Sequence, residues 1–91
     1  MDVQSAIAKA KAYVTDIFGP EGVFNVGLEE VQFDGKTNAW DVTIGFSRPW
    51  DQTRASVLLP ATDRRTYKIV EINDDDGQVI AVRNRQFATG S

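Results

Sequence analysis

Between Val3 and Ile17 the apolar residues Val3, Ile7, Ala10, Val14 and Ile17 recur at spacings of four and three. That is the period of a helix with one buried face. Lys9, Lys11, Thr15 and Asp16 fall away from the centre of that face. Alanines at 6, 8, 10 and 12 favour helix and allow close packing. Asp2 is placed to cap the first turn by accepting a free backbone N–H. Phe18 is followed by Gly19 and Pro20. Glycine accepts the left-handed turn at which helices stop, and proline cannot continue the helix. A helix over about 3–18 is predicted, with Gly19 as its left-handed exit.

The period then changes. Leu28 to Phe33 reads as a strand, with Val31 and Phe33 on one face and Glu30 and Gln32 on the other. Asp34-Gly35 and Asn38 mark a turn. Trp40, Val42, Ile44 and Phe46 alternate with Ala39, Asp41, Thr43 and Gly45, which is a half-buried strand whose Trp40 face should pack on the helix. Two further β-rich runs flank Asp74-Asp75-Asp76-Gly77 and form a hairpin. A two-residue loop would oppose Lys68 to Arg85, and a four-residue loop would oppose it to Arg83; like charges directly opposite are unfavourable. A three-residue loop, Asp75-Asp76-Gly77, avoids both and puts glycine at a left-handed bulge position. It pairs Val70 with Val82, Ile72 with Ile80, and Tyr67 with Arg85.

Between the two strand pairs lies SRPWDQTRASVLLP, residues 47–60. Ser47 to Gln52 reads as a turn carrying Trp50. Residues 54–59 read as an additional strand ended by Pro60, because long structureless connections are uncommon in compact domains. The expected architecture is a single α+β domain over 1–91: an N-terminal helix packed across a four- to five-stranded antiparallel meander.

Composition narrows the function. Ninety-one residues make one domain, large enough for one helical layer on one sheet. The chain has no cysteine and no histidine. Disulfides, cysteine-ligated zinc and every Ser-His-Asp or Cys-His centre are therefore excluded within this chain. No metal or cofactor is implied. The formal charge is −3, so no basic excess drives nucleic-acid binding. The charge is uneven: residues 1–47 hold three basic and seven acidic groups, and residues 48–91 hold seven basic and six acidic. Asp2 stands where a secretory signal carries positive charge, and no apolar run reaches membrane-spanning length, so a cytoplasmic protein without membrane contact is expected.

The element order, with Tyr67-Lys68-Ile69-Val70-Glu71-Ile72, an acidic turn ending in Gly77, and Val79-Ile80-Ala81-Val82, resembles cystatin-like domains of the PepSY type. Trp40-x-Val42, the Arg48 loop, Tyr67-x-Ile69, the Asp-Gly turn and Arg83-x-Arg85-x-Phe87 are similar in order to gas vesicle protein O, over roughly residues 39–87. Both resemblances imply a non-catalytic accessory, regulatory or inhibitory protein. PepSY-type domains are usually exported; the middle connection here is longer than that of gas vesicle protein O, and that family's basic tail is missing.

The candidate sites each have a structural alternative. Asp74-Asp75-Asp76-Gly77 suggests calcium, but the position six residues after the glycine, where an EF-hand needs glutamate, is Arg83. A hairpin turn is the simpler reading. Glu29, Glu30, Asp41 and Glu71 could pair for acid–base work or stand as solvated strand charges. Arg83 and Arg85 share a strand face and could bind an acidic partner, or pair with carboxylates such as Glu71. Trp50 is either tucked over the core edge or an anchor for a partner. The expectation drawn from these residues is a non-enzymatic module that binds a protein through Arg48, Trp50 and Arg54, supported by Arg83 and Arg85. The alternative is a small-ligand pocket between helix and sheet lined by Tyr13, Trp40 and Phe46. An exposed sheet edge leaves homodimerisation open.

Overall fold

The computed structural model describes residues 1–49 and 65–85. Helix α1 (Val3–Phe18) is followed by a 3-10 turn (Gly19–Glu21) and four strands, β1 (Phe24–Asp34), β2 (Ala39–Ser47), β3 (Thr66–Asn73) and β4 (Val79–Asn84). The strands form one antiparallel sheet in the order β1-β2-β3-β4. The fold is α+β, one helix packed on one face of the sheet. The proposed strand at 54–59 lies outside the described residues.

Asp2 caps α1 as expected: its carboxylate accepts the Ser5 N–H at 2.7 Å. The buried stripe of the helix is Ala6, Ala10 and Val14, an i, i+4 row, packed on Val42, Ile44 and Phe46 of β2 and Val70 and Ile72 of β3. Val3 and Ile17, expected on the buried face, remain 40% and 45% exposed. The large side chains come from the sheet, so the helix contributes its small residues at the closest approach. The helix exit also differs from expectation. Gly19 is right-handed, and the left-handed residue is Gly22, φ 77°. The fixed φ of Pro20 suits the first turn of a helix, so the chain makes one 3-10 turn before it leaves.

Strand β1 begins four residues before the predicted start, at Phe24. Two irregularities hid it. The register against β2 slips between Phe24 and Gly27 and again between Leu28 and Glu30, and Asn25 takes a left-handed φ of 56°. Each slip adds a residue to β1 and breaks the alternation that a sequence reading relies on. Strand β2 is regular and central, and Val42, Ile44 and Phe46 of its helix-facing side are fully buried.

The hairpin combines two of the three registers weighed above. Val70 faces Val82 and Lys68 faces Asn84, as the three-residue loop requires. Near the turn, however, Ile72 faces Val79 and not Ile80. The Asn73 N–H donates to the Gln78 carbonyl and the Gly77 N–H to that of Asn73, both at 2.9 Å, which closes a four-residue loop. The shift is absorbed at Ile80, which bulges and stays 53% exposed. The bulge lets the turn close on four residues without bringing Lys68 against Arg83. Gly77 is left-handed, φ 69°, as the turn demands.

Candidate functional site

The face of the sheet opposite α1 is built by the alternate residues of the strands. Asp41, Thr43 and Gly45 of β2 share it with Tyr67, Ile69 and Glu71 of β3 and with Arg83 and Arg85 at the end of β4. From β1 it receives Glu30 and Gln32. Arginines and carboxylates are interleaved here. The Arg83 Nη2 lies 3.2 Å from Asp41 and 3.6 Å from Glu71. The Arg85 Nη2 lies 3.3 Å from Glu30, a pair that crosses from the β4 side of the sheet to β1. The Arg83–Glu71 contact is the diagonal pair that the hairpin register implied. Each such exposed pair contributes about 0–1 kcal/mol, so together they set the pattern of charge on the face more than its stability. Arg83 keeps 46% of its side chain exposed, while Thr43 beneath is only 4% exposed.

One end of this face has a feature the sequence did not suggest. The Tyr67 ring lies across Gly45: a Cβ on that glycine would stand 2.9 Å from Tyr67 Cε1 and 3.1 Å from Arg65 Nη2. Arg65 donates from Nη2 to the Asn25 carbonyl at 2.8 Å, so it ties β3 to the irregular start of β1. Its Nε is buried without a hydrogen-bond partner. The signal that was available is a glycine inside an otherwise regular strand, which marks a close approach.

Arg48, expected to meet a partner, is held within the molecule. Its Nε donates to Glu21 at 2.8 Å and its Nη1 to the Thr66 hydroxyl at 3.3 Å. The guanidinium also stands over the Phe46 and Phe18 rings, 5.3 and 5.9 Å from their centroids. Arginine suits this position because its planar cation both stacks and donates in fixed directions. Trp50 and Arg54 lie outside the described residues.

The three pocket candidates separate. Phe46 is fully buried, with its ring 5.3 Å from that of Phe18. Trp40 packs on the core margin and donates its indole N–H to Asp74 at 2.8 Å. Of the three, only Tyr13 lines the groove that runs beside α1 with Lys9, Lys11, Ala12, Thr15 and Asp16.

The acidic turn serves its own geometry. Asp74 takes the Trp40 indole and the Met1 amino group, and its N–H donates to Asn38, which ties the two hairpin turns together. Asp76 accepts the Gln78 N–H. Among the described residues no group of three acidic side chains is placed to hold a metal ion. The Trp40 indole N–H, and after it the Met1 ammonium, hold the Asp74 carboxyl below its ordinary pKa. The Ser5 N–H does the same for Asp2. A carboxyl depressed in the folded state contributes stability above its unfolded pKa of about 3.9 and loses it as pH falls through the folded value. The urea midpoint is therefore expected to drop below about pH 4 through these two groups. Asp74→Asn should lower the midpoint at pH 7 and make the acid drop shallower. Superimposable wild-type and variant profiles from pH 7 to pH 3 would show that Asp74 plays no such part.

No helix among the described residues is long and apolar enough to cross a membrane. No family model, no curated protein and no solved structure matches the chain.

Proposed function

We propose that this chain is a non-enzymatic protein-interaction module of the cytoplasm, with an accessory, regulatory or inhibitor-like role. The observation that carries the reading is the helix-free sheet face, where the exposed Arg83 and the half-buried Arg85 stand among Glu30, Asp41 and Glu71 on three different strands. Side chains rooted in a sheet present charges at fixed spacing, and fixed charge patterns select partners and speed encounter. The lack of histidine and cysteine agrees with a role that is not catalytic. So does the resemblance of the element order to that of cystatin-like domains. Arg48 serves this function as the root of the segment carrying Trp50 and Arg54: bound to Glu21 and Thr66, it pins the start of that segment to the body.

The test starts from the protein that co-purifies in stoichiometric amount from native extract, then measures its affinity for purified variants. Arg83→Ala/Arg85→Ala and Trp50→Ala/Arg54→Ala are each expected to weaken it about tenfold or more, since aromatic and arginine anchors carry most interface energy. Unchanged affinity in both variants, with their melting temperatures preserved, would remove the assignment.

A further inference from the structure

The two edges of the sheet carry opposite charge. Strand β1 contains Glu29, Glu30 and Asp34 and no basic residue. Strand β4, with Arg85 directly after it, contains Arg83 and Arg85 and no acidic residue. Among the described residues each of these strands has a single strand neighbour. From these facts we infer that copies of this chain associate head to tail, β4 of one copy extending the sheet onto β1 of the next.

Three physical points select this arrangement. First, charge favours the head-to-tail contact. Antiparallel pairing of the regular part of β1 with its copy sets Glu30 against Asp34, and like charges opposite one another destabilise a sheet, while β4 paired with its copy brings no carboxylate to the arginines. Second, strand direction is already correct. In a four-stranded antiparallel meander β1 and β4 run oppositely, so a copy displaced sideways presents β1 antiparallel to β4 with the same face up. Third, Glu30, Thr43, Ile69 and Arg83 lie in one row across the sheet, so a copy displaced straight sideways sets its Glu30 beside Arg83. Arg85 now reaches Glu30 across the two intervening strands, at 3.3 Å. Across the junction the neighbour's Glu30 would sit on the adjoining strand, about 4.8 Å away in the pairing direction.

Lengths and backbone agree. The regular part of β1, Glu30–Asp34, follows its last irregularity and is close in length to the six residues of β4. The Arg85 N–H donates inward to the Tyr67 carbonyl, so by antiparallel alternation the Asn84 N–H and C=O point out of the edge. Phe33 on β1 and Ile80 on β4 are 43% and 53% exposed and add apolar surface at the two edges. Such a contact is heterologous and does not close on two copies, so assembly continues with concentration.

The experiment uses the pure full chain, so its outcome is independent of the partner-binding reading. Sedimentation velocity or light scattering from about 10 µM to about 1 mM should show the weight-average mass rising beyond that of a dimer. The rise should be at least about twofold smaller in 500 mM salt than in 20 mM, where exposed charges are less screened. Arg83→Glu/Arg85→Glu leaves two acidic edges and Glu29→Lys/Glu30→Lys leaves two basic ones. Each variant alone should stay monomeric, and an equimolar mixture should associate again. Asn84→Pro, which blocks the edge without changing charge, should also stay monomeric; it decides the matter if a charge reversal fails to fold. A monomer throughout would overturn the inference. So would a mass that stops at two and ignores the edge variants, folded reversals whose mixture stays monomeric, or an Asn84→Pro variant that assembles like the wild type.

Discussion

Phe46→Ala is expected to cost about 3–5 kcal/mol, the largest loss of any substitution considered for this chain. Among the described residues Phe46 is the largest fully buried side chain, on the inner strand β2, and it faces the Phe18 ring at 5.3 Å and the Arg48 guanidinium at 5.3 Å. Removing it forfeits the burial of the ring and leaves a cavity between helix and sheet. Arg48 would also lose one of its two stacking faces while keeping Glu21 and Thr66. A domain of this size shifts its melting temperature by about 4–8 °C per kcal/mol, so a fall of about 12 °C or more is expected in a circular-dichroism melt. With a total stability of about 5–15 kcal/mol, the variant would sit near the folding threshold. Phe46→Leu should cost well under half as much. A loss below about 1 kcal/mol for the alanine variant would mean that the core closes over the gap and that Phe46 does not organise it.

The second large effect has an unusual sign. Glycine inside a strand is normally a weakness, and replacing it with alanine should stabilise by about 0.5–1 kcal/mol. Gly45→Ala should instead destabilise by about 1–3 kcal/mol, because the new methyl group would stand 2.9 Å from the Tyr67 ring. The ring cannot simply swing aside: Arg65 lies over the same glycine, fastened to the Asn25 carbonyl. Tyr67→Ala removes the obstruction, so in that background Gly45→Ala should be neutral or stabilising. Urea denaturation of the wild type, both single variants and the double variant would then give a coupling energy above about 1 kcal/mol. Additive single effects would show that the tyrosine does not rest on Gly45.

These two sites also mark how far sequence reasoning reaches. Phe46 was legible: it ends an alternation that begins at Trp40, and such a strand must bury one side. The carboxylates of the open face were legible singly, as was the pairing of Glu71 with Arg83, because one hairpin register implies it. Gly45 was visible only as a gap in a pattern, and nothing local says what fills it. The internal bond of Arg48 to Glu21 was not legible, because Glu21 is 27 positions away, in the turn after the helix. The Asp74 carboxylate was read as part of a turn, while its bond to Trp40 spans 34 positions.

What the sequence by itself determined is local and periodic. The helix over 3–18 follows from spacing and the Asp2 cap, β2 from strict alternation, and the Asp-Gly hairpin from turn chemistry and charge avoidance. The lack of histidine and cysteine is equally direct. What only the tertiary structure decided are the events that break a period or join distant segments: the two slips in β1, the bulge at Ile80, the left-handed exit at Gly22, and the Arg85–Glu30 pair between opposite sides of the sheet. The physical reason is the same in each case. A period is set by backbone geometry over a few residues, whereas a bulge or a cross-sheet ion pair depends on what the neighbouring strand presents. That information exists only once the chain has brought the strands together.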